Sequence, residues 1–293
     1  MIGFTSLKRI LLATATFGFA VHAAAASTLT LDVYNPGDKA IFPVTSVLVS
    51  GEKDAILVDA QFGKSQAEQV VEKIRASGKR LTTVYVSHSD PDFYFGLDVI
   101  HAAFPDAKIV ATPQTIAGIE KKKDAKVAYW SPILKDNAPK SIIVPQPLQG
   151  DTIKLEGETL KIEGLNGATP DRSYVWIPSI KAIAGGVVVF NGLHVWTADT
   201  QSAESRKNWL ATLDHIASLK PAIVVPGHFK VGAPLTPDSV AFTRDYLVRF
   251  EAETAKAANS AALIARMKEL YPDAGLASGL ETSAKVSKGE MKW

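Results

Sequence analysis

The stretch Ser87-His88-Ser89-Asp90-Pro91-Asp92-Phe93-Tyr94-Phe95-Gly96 lies between a strand-like apolar run, Leu81 to Val86, and a segment with helical periodicity. It places one imidazole and two carboxylates at alternate positions of an extended turn, where His88, Asp90 and Asp92 can converge on one point. Histidine and carboxylate ligands together suit a divalent cation. The alternative is a polar strand-to-helix turn in which the two aspartates cap backbone N–H groups at the helix start. These residues alone leave both interpretations open.

The stretch resembles the metal-binding loop of the metallo-β-lactamase superfamily, whose pattern is His-x-His-x-Asp-His followed by a glycine. His88, Asp92 and Gly96 match that pattern, whereas Asp90 stands at the second histidine position and Phe93 at the third. The flavodiiron branch of the superfamily uses His-x-Glu-x-Asp, so a carboxylate at the second position is compatible with metal binding. No flavodoxin domain accompanies the motif here, so the similarity to that branch extends to the ligand set only.

The resemblance also implies ligands in three later segments, and one of them is retained. Gly167-Ala168-Thr169-Pro170 resembles the superfamily's Gly-His-Thr-Pro turn with Ala168 at the ligand position, and Gly186 replaces the bridging aspartate. Pro226-Gly227-His228 keeps its histidine. Without the aspartate nothing obvious holds two cations together, so we expect one divalent ion, either zinc, iron or manganese. The predicted ligands are His88, Asp90, Asp92 and His228.

The same resemblance assigns roles to further residues. Asp92 would also orient the metal-bound water and accept its proton, which makes it the predicted catalytic residue. Asp59 closes a buried strand, where it could brace the metal loop or cap the next helix. His194 and Asp199 lie in a loop that borders the metal in some branches. They are candidates for extra ligands, proton shuttles or substrate contacts, and a hydrogen-bonded loop histidine is the alternative for His194.

The order of predicted elements indicates an α/β layered fold, because strand-like and helical segments alternate after Val47. One helix is predicted over Ser65–Ser77, with its apolar residues on one face. Residues 120–138 interrupt the alternation with an aromatic loop at Tyr129-Trp130-Ser131-Pro132, and Trp130 is a candidate wall of a substrate pocket. The resemblance implies a four-layer αββα sandwich. The later predicted strands are Ile142–Val144, Thr152–Leu155, Leu160–Glu163, Tyr174–Ile177, Ala182–Ala184 and Val187–Phe190.

The first 26 residues have the layout of a secretory signal peptide. Lys8-Arg9 precedes an apolar run from Ile10 to Val21, which is too short to span a bilayer, and an alanine-rich cleavage site ends at Ala26. We therefore expect a periplasmic or secreted protein without stable membrane insertion. It would consist of one domain over residues 27–271 and a tail over residues 272–293 that either packs on it or frays.

The composition narrows the classes of partner. Removing Lys8 and Arg9 with the signal peptide leaves 30 basic and 30 acidic residues, a balance that argues against an electrostatic nucleic-acid binder. The chain has no cysteine, so any metal must be held by nitrogen and oxygen ligands. The expected partner is a small-molecule substrate.

Two functions remain open from the sequence. The first is an exported hydrolase in which water bound to one metal ion attacks an ester, lactone, amide or phosphoester. The second is a non-catalytic binding or scaffold protein that keeps the fold after its metal site was lost. The position of Phe93 discriminates between them, because a ring among the four predicted ligands would exclude the ion. β-Lactam hydrolysis itself is not supported, since the fold hosts many chemistries.

Overall fold

The structure is a computed structural model that describes residues 29–293. The predicted signal peptide, residues 1–26, lies outside the described residues. Within residues 29–293, none of the helices combines the length and the apolar character needed to cross a membrane.

The described residues form thirteen strands, eight α-helices and three short 3-10 helices. The strands are β1 Thr30–Tyr34, β2 Ser46–Ser50, β3 Asp54–Val58, β4 Arg80–Val86, β5 Lys108–Ala111, β6 Gln146–Pro147, β7 Thr152–Leu155, β8 Glu158–Glu163, β9 Tyr174–Ile177, β10 Ala182–Ala184, β11 Phe190–Asn191, β12 Ile223–Val224 and β13 His228–Phe229. The helices are α1 Lys64–Ala76, α2 Pro91–Tyr94, α3 Leu97–Ala103, α4 Pro113–Leu134, α5 Ala203–Ser218, α6 Asp238–Lys256, α7 Ser260–Leu270 and α8 Ala277–Ser287. The 3-10 helices are Gly37–Lys39, Lys135–Asn137 and Pro178–Ile180.

Two sheets carry most of the strands. The first has the order β1-β2-β3-β4-β5-β6; it is antiparallel from β1 to β3 and parallel from β3 to β6. The second has the order β12-β10-β9-β8-β7 and is antiparallel except for the β10–β12 pair. Strands β11 and β13 pair separately, in parallel. Because β3, β4 and β5 run in the same direction, the loops that follow them meet at one edge of the first sheet.

Alternating side chains bind the sheets to each other and to the helices. Val47 and Val49 of β2 belong to the same buried cluster as Val175 and Ile177 of β9, whereas Leu48 belongs to a second cluster that includes the helices. This period of two is what a strand buried on both faces requires. Helices α1 and α3 pack together over the first sheet, and α5 covers the second. The four-layer αββα architecture predicted from the sequence is therefore confirmed.

The predicted aromatic loop at Tyr129-Trp130-Ser131-Pro132 is wrong, because these residues continue α4. Pro132 lies in the last turn, where its missing N–H costs a single helical hydrogen bond. Trp130 is buried edge-on against Phe42 and Phe62, with ring centres 5.5 and 5.1 Å apart. Tertiary packing therefore stabilises the helix beyond the point where local propensity would end it.

Two predicted strands are also corrected. Residues 142–144 are not in a strand, and pairing begins instead at Gln146. Residues 187–189 are buried but unpaired, and only Phe190 and Asn191 form β11. Gly185 and Gly186, both with positive φ, turn the chain away from the second sheet just after β10, so the apolar run that follows leaves the ladder.

The last residues of the chain pack on the domain. Leu280 and Ala284 of α8 are fully buried in the main cluster, and the Ser283 hydroxyl accepts a hydrogen bond from the backbone N–H of Thr197. These contacts place the segment that follows α8 beside the loop between β11 and α5.

Candidate active site and aromatic cavity

His88, Asp90 and Asp92 follow β4 in the loop that leads into α2. Asp90 is the residue before the helix, but its side chain makes no capping hydrogen bond in the described part of the chain. Its Oδ2 lies 3.4 Å from Nδ1 of His88, and its backbone N–H donates to the same nitrogen. Burial alone would raise the pKa of Asp90, but the neighbouring His88 outweighs it and holds the pKa below its usual range. The Asp90 carboxylate therefore pairs with the His88 imidazole.

Asp92 pairs with the other predicted histidine. Its Oδ2 lies 3.2 Å from Nε2 of His228, which begins β13 directly after the Pro226-Gly227 turn. Both side chains are buried, at 7% and 5% exposure. Nδ1 of His228 is also buried and has no hydrogen-bond partner among the described residues.

Phe93 contacts one histidine of each pair. Its ring is fully buried and lies edge-on to both imidazoles, with centres 5.5 Å from His88 and 5.6 Å from His228. Its carbonyl accepts a hydrogen bond from the N–H of Ala60. Gly96 permits this close approach of the loop to β3, since a Cβ at that position would lie 2.1 Å from the Ala60 oxygen. The backbone of Phe93 is therefore fixed against the residues that follow β3.

The structure brings the four predicted ligands together as two separate pairs. Each pair supplies two donors, whereas catalytic metal sites in proteins use three protein ligands as a rule. Within residues 29–293, no group of three or more histidine, aspartate or glutamate side chains is arranged to hold a metal ion. As placed in the structure, the four side chains form two pairs of donors and not one four-ligand set.

The altered ligand positions cannot complete either pair. Ala168 is an exposed methyl group. Gly186 has φ +82°, and a Cβ there would lie 2.5 Å from the carbonyl oxygen of Ser173. An aspartate at position 186 would thus be strained and obstructed at once, so the backbone itself is incompatible with the bridging ligand.

Asp59 braces the loop from beneath. Its Oδ1 accepts from the Ser87 N–H at 2.8 Å, and both carboxylate oxygens accept from the Ser87 hydroxyl. The Ser87 hydroxyl in turn accepts from the N–H of Gly186, which ties the loop to the second sheet. Helix α1 begins after Gly63, so Asp59 does not cap it. Burial raises the pKa of Asp59 to about 7, although the hydrogen bonds from Ser87 lower it.

His194 and Asp199 have different surroundings. Nδ1 of His194 is 3.0 Å from the hydroxyl of Tyr246 on α6, and the residues found to line the cavity described below do not include His194. Burial, together with the charge of Lys268, lowers the pKa of His194 to about 4. Asp199 lines the cavity and accepts hydrogen bonds from the indole N–H groups of Trp196 and Trp293.

A cavity opens above the Asp92–His228 pair. Its polar lining consists of Asp90, Asp92, Lys126, Asp199 and His228. Its aromatic walls are Phe42, Phe62, Trp130, Phe190, Trp196 and Trp293. Neither His88 nor Phe93 is among the described residues that line it. Apart from Trp130, these walls were not found from the sequence; aromatic residues in the loops after β3 and β11 were the signal that could have indicated them.

Known proteins share this architecture. Residues 41–228 match the family model of the metallo-β-lactamase superfamily. The DIM-1 metallo-β-lactamase is 19% identical, with a TM-score of 0.52 over 75% of this chain and 97% of that one. The TMB-1 structure gives 19% identity and a TM-score of 0.51, with the same two coverages. At this identity the two structures show a shared fold alone, and no curated protein gives a match.

The family model covers more than half of the chain, from the loop before β2 to the His228 of the Asp92–His228 pair. Membership of this family supports a metallo-hydrolase-like function, while the position of Phe93 and the backbone at Gly186 set this chain apart from the metal-binding pattern described above. The chain belongs to the metallo-β-lactamase superfamily.

Proposed function

We propose that this chain is an exported small-molecule-binding protein that keeps the superfamily fold and holds no metal ion among His88, Asp90, Asp92 and His228. The observation that carries the proposal is the Phe93 ring, which lies edge-on to both imidazoles and supplies a hydrocarbon where the superfamily pattern has a histidine ligand. An apolar ring offers no ligand and excludes the water that a bound ion would keep.

The cavity supports the binding role. Ligand sites in proteins are concave and mostly apolar, with a few polar groups that orient the ligand. Here six aromatic side chains form the walls and the Asp92–His228 pair lies in the floor. A small molecule with an apolar body fits this lining, whereas the balanced overall charge offers nothing to a nucleic acid.

Export is supported by the sequence of the first 26 residues. A basic pair, a short apolar run and an alanine-rich site in that order are typical of a cleaved signal peptide. Mass spectrometry of the protein recovered from the bacterial periplasm tests this part of the proposal. We expect a chain that begins near Ser27; an intact leader on the mature protein would contradict it.

A second candidate is the hydrolase that family membership supports. Three of the four predicted ligands, Asp90, Asp92 and His228, line the same cavity, so donors for catalysis would stand beside a bound substrate. Hydrolysis of a chromogenic ester such as 4-nitrophenyl acetate, measured with added zinc, iron and manganese, tests it. A turnover that is abolished by both Asp92→Asn and His228→Ala would favour this candidate over the binding role.

Binding of N-phenyl-1-naphthylamine, an uncharged aromatic dye, tests the proposed function. We expect the metal-free protein to bind the dye and Trp130→Ala to weaken binding about tenfold, since an aromatic wall is lost. Ile133→Ala is the matched control, because Ile133 is 48% exposed on the same helix and lies outside the lining. Absence of dye binding, or equal effects of the two substitutions, would contradict the proposal.

A further inference from the structure

The Asp199 carboxylate accepts hydrogen bonds from two tryptophans that line the cavity with it. Oδ1 of Asp199 accepts from Nε1 of Trp293 at 3.0 Å, and Oδ2 accepts from Nε1 of Trp196 at 2.6 Å. The two indole rings meet edge-to-face with centres 5.1 Å apart. On its other side, Trp293 has the ammonium group of Lys126 5.2 Å from its ring centre. The Trp293 indole thus occupies a small site of its own, formed by a hydrogen-bond acceptor, an aromatic edge and a cation.

Of the aromatic side chains that line the cavity, Trp293 can move with the least loss of packing. Trp293 is 38% exposed, whereas Trp130 and Phe62 in the opposite wall are 9% and 2% exposed. Helix α8 ends at Ser287, and beyond it Glu290 fixes the chain by accepting from the N–H of Ser260 at 2.8 Å. The residues after Glu290 are exposed, so rotation about this point would carry the indole away without disturbing a helix.

The cavity is small in this structure. Its volume is about 40 Å³, which is room for a few water molecules. Any larger ligand must displace part of the lining. Trp293 is the least buried aromatic residue of the lining, held by its bond to Asp199, a long bond from Gln201 Nε2 to its carbonyl oxygen and ring contacts, and it is the part that yields.

We propose that Trp293 closes the cavity as an internal stand-in for the ligand, and that the ligand is a planar aromatic molecule with an N–H donor that takes its place on Asp199. This inference rests on the proposed binding function and names the chemistry of the ligand. Such a molecule would reproduce each contact of the indole: the hydrogen bond to the carboxylate, the edge of Trp196 and the cation of Lys126. A ligand of the same shape without the donor would leave Oδ1 of Asp199 without the hydrogen bond that it now accepts from Trp293, while Oδ2 kept its bond from Trp196.

Calorimetric titration with indole and with 1-methylindole tests the proposal, because the two probes differ by the N–H donor. We expect Trp293→Ala to bind indole about tenfold more tightly than the wild-type protein, since no side chain has to be displaced. The same variant should prefer indole to 1-methylindole about tenfold, as expected for a hydrogen bond to a charged acceptor. Adding Asp199→Ala to Trp293→Ala should abolish that preference.

Trp293→Phe is the matched control, since it keeps a ring in the wall and loses the bond to Asp199; its affinity for indole should lie between the other two. Equal affinity of wild type and Trp293→Ala for indole, or equal affinity of Trp293→Ala for both probes, would overturn the proposal. Dye binding that Trp130→Ala weakens and Trp293→Ala leaves unchanged would overturn this inference and leave the proposed function standing. A protein that binds neither the dye nor indole overturns both.

Discussion

Phe93 and His228 lie edge-to-face, with ring centres 5.6 Å apart and an angle of 78° between the ring planes. The same phenyl ring makes an equivalent contact with His88. Two imidazoles that the sequence predicts to share a metal ion thus both contact a hydrocarbon ring. The His228 imidazole is paired with Asp92 instead, and its second nitrogen is buried without a partner in the described chain.

Phe93→His should create zinc binding where the wild-type protein has little. The new imidazole would stand between His88 and His228 and supply the third donor that neither existing pair has. Zinc titration followed by calorimetry should show an affinity gain of at least about tenfold, the effect of one good ligand. Phe93→Leu is the control, and it should show no gain. Equal zinc affinity in all three proteins would mean that Phe93 does not separate the donors.

Gly186→Ala should cost more stability than Gly232→Ala. Both glycines have positive φ, at +82° and +89°, so the backbone strain of a substitution is similar. A Cβ at position 186 meets the Ser173 oxygen at 2.5 Å, whereas nothing lies within 4 Å of one at position 232. In urea unfolding we expect about 1 kcal/mol of destabilisation for Gly232→Ala and roughly 2 kcal/mol more for Gly186→Ala. Equal losses would show that the second sheet can accommodate a side chain there.

Asp59→Ala should destabilise the protein by about 2–4 kcal/mol, because it removes a buried acceptor and leaves the Ser87 donors unpaired. Asp59→Asn keeps the shape and one acceptor oxygen, so its loss should be smaller. Free energies of unfolding from urea titration check both values. If both variants unfold like the wild type, Asp59 does not brace the loop.

The free energy of unfolding should fall as the pH is lowered, because His194 takes up a proton more readily in the unfolded chain than in the folded protein. Its pKa is about 4 in the folded protein and about 6.5 in an unfolded chain, so the unfolded state binds more protons between those values. The contribution of neutral His194 to the free energy of unfolding is complete above about pH 6.5. It falls as the pH is lowered toward 4 and changes no further at lower pH. The free energy of unfolding of His194→Gln should therefore vary less over this interval than that of the wild type. Identical pH profiles would show that His194 is not the responsible group.

The sequence predicts the architecture well because the fold depends on periodicity. The alternation along β2 and β9 and the apolar face of α1 are local patterns, and each is found in the structure. The prediction of a loop at Tyr129 was wrong because the helix there depends on the packing of Trp130. Its partners Phe42 and Phe62 are distant in the chain, so no local pattern indicates that packing.

The candidate active site could be predicted from the sequence only in part. The motif identifies His88, Asp90, Asp92 and His228 as chemically important, but which aspartate pairs with which histidine is decided by the position of Phe93 between them. The cavity walls come from separate segments that share no spacing. Trp293 reaches the cavity only because α8 packs beside Thr197 and brings the following residues to Asp199.

Metal content tests the proposed loss of the metal site most directly. The protein is purified without chelator, dialysed against zinc, iron or manganese, and analysed for bound metal by elemental analysis. Because the donors form two separate pairs with Phe93 between them, we expect well below one ion per chain, and no change in His88→Ala or His228→Ala. One tightly bound ion per chain, lost when either histidine is replaced, would show that the four side chains share a metal after all.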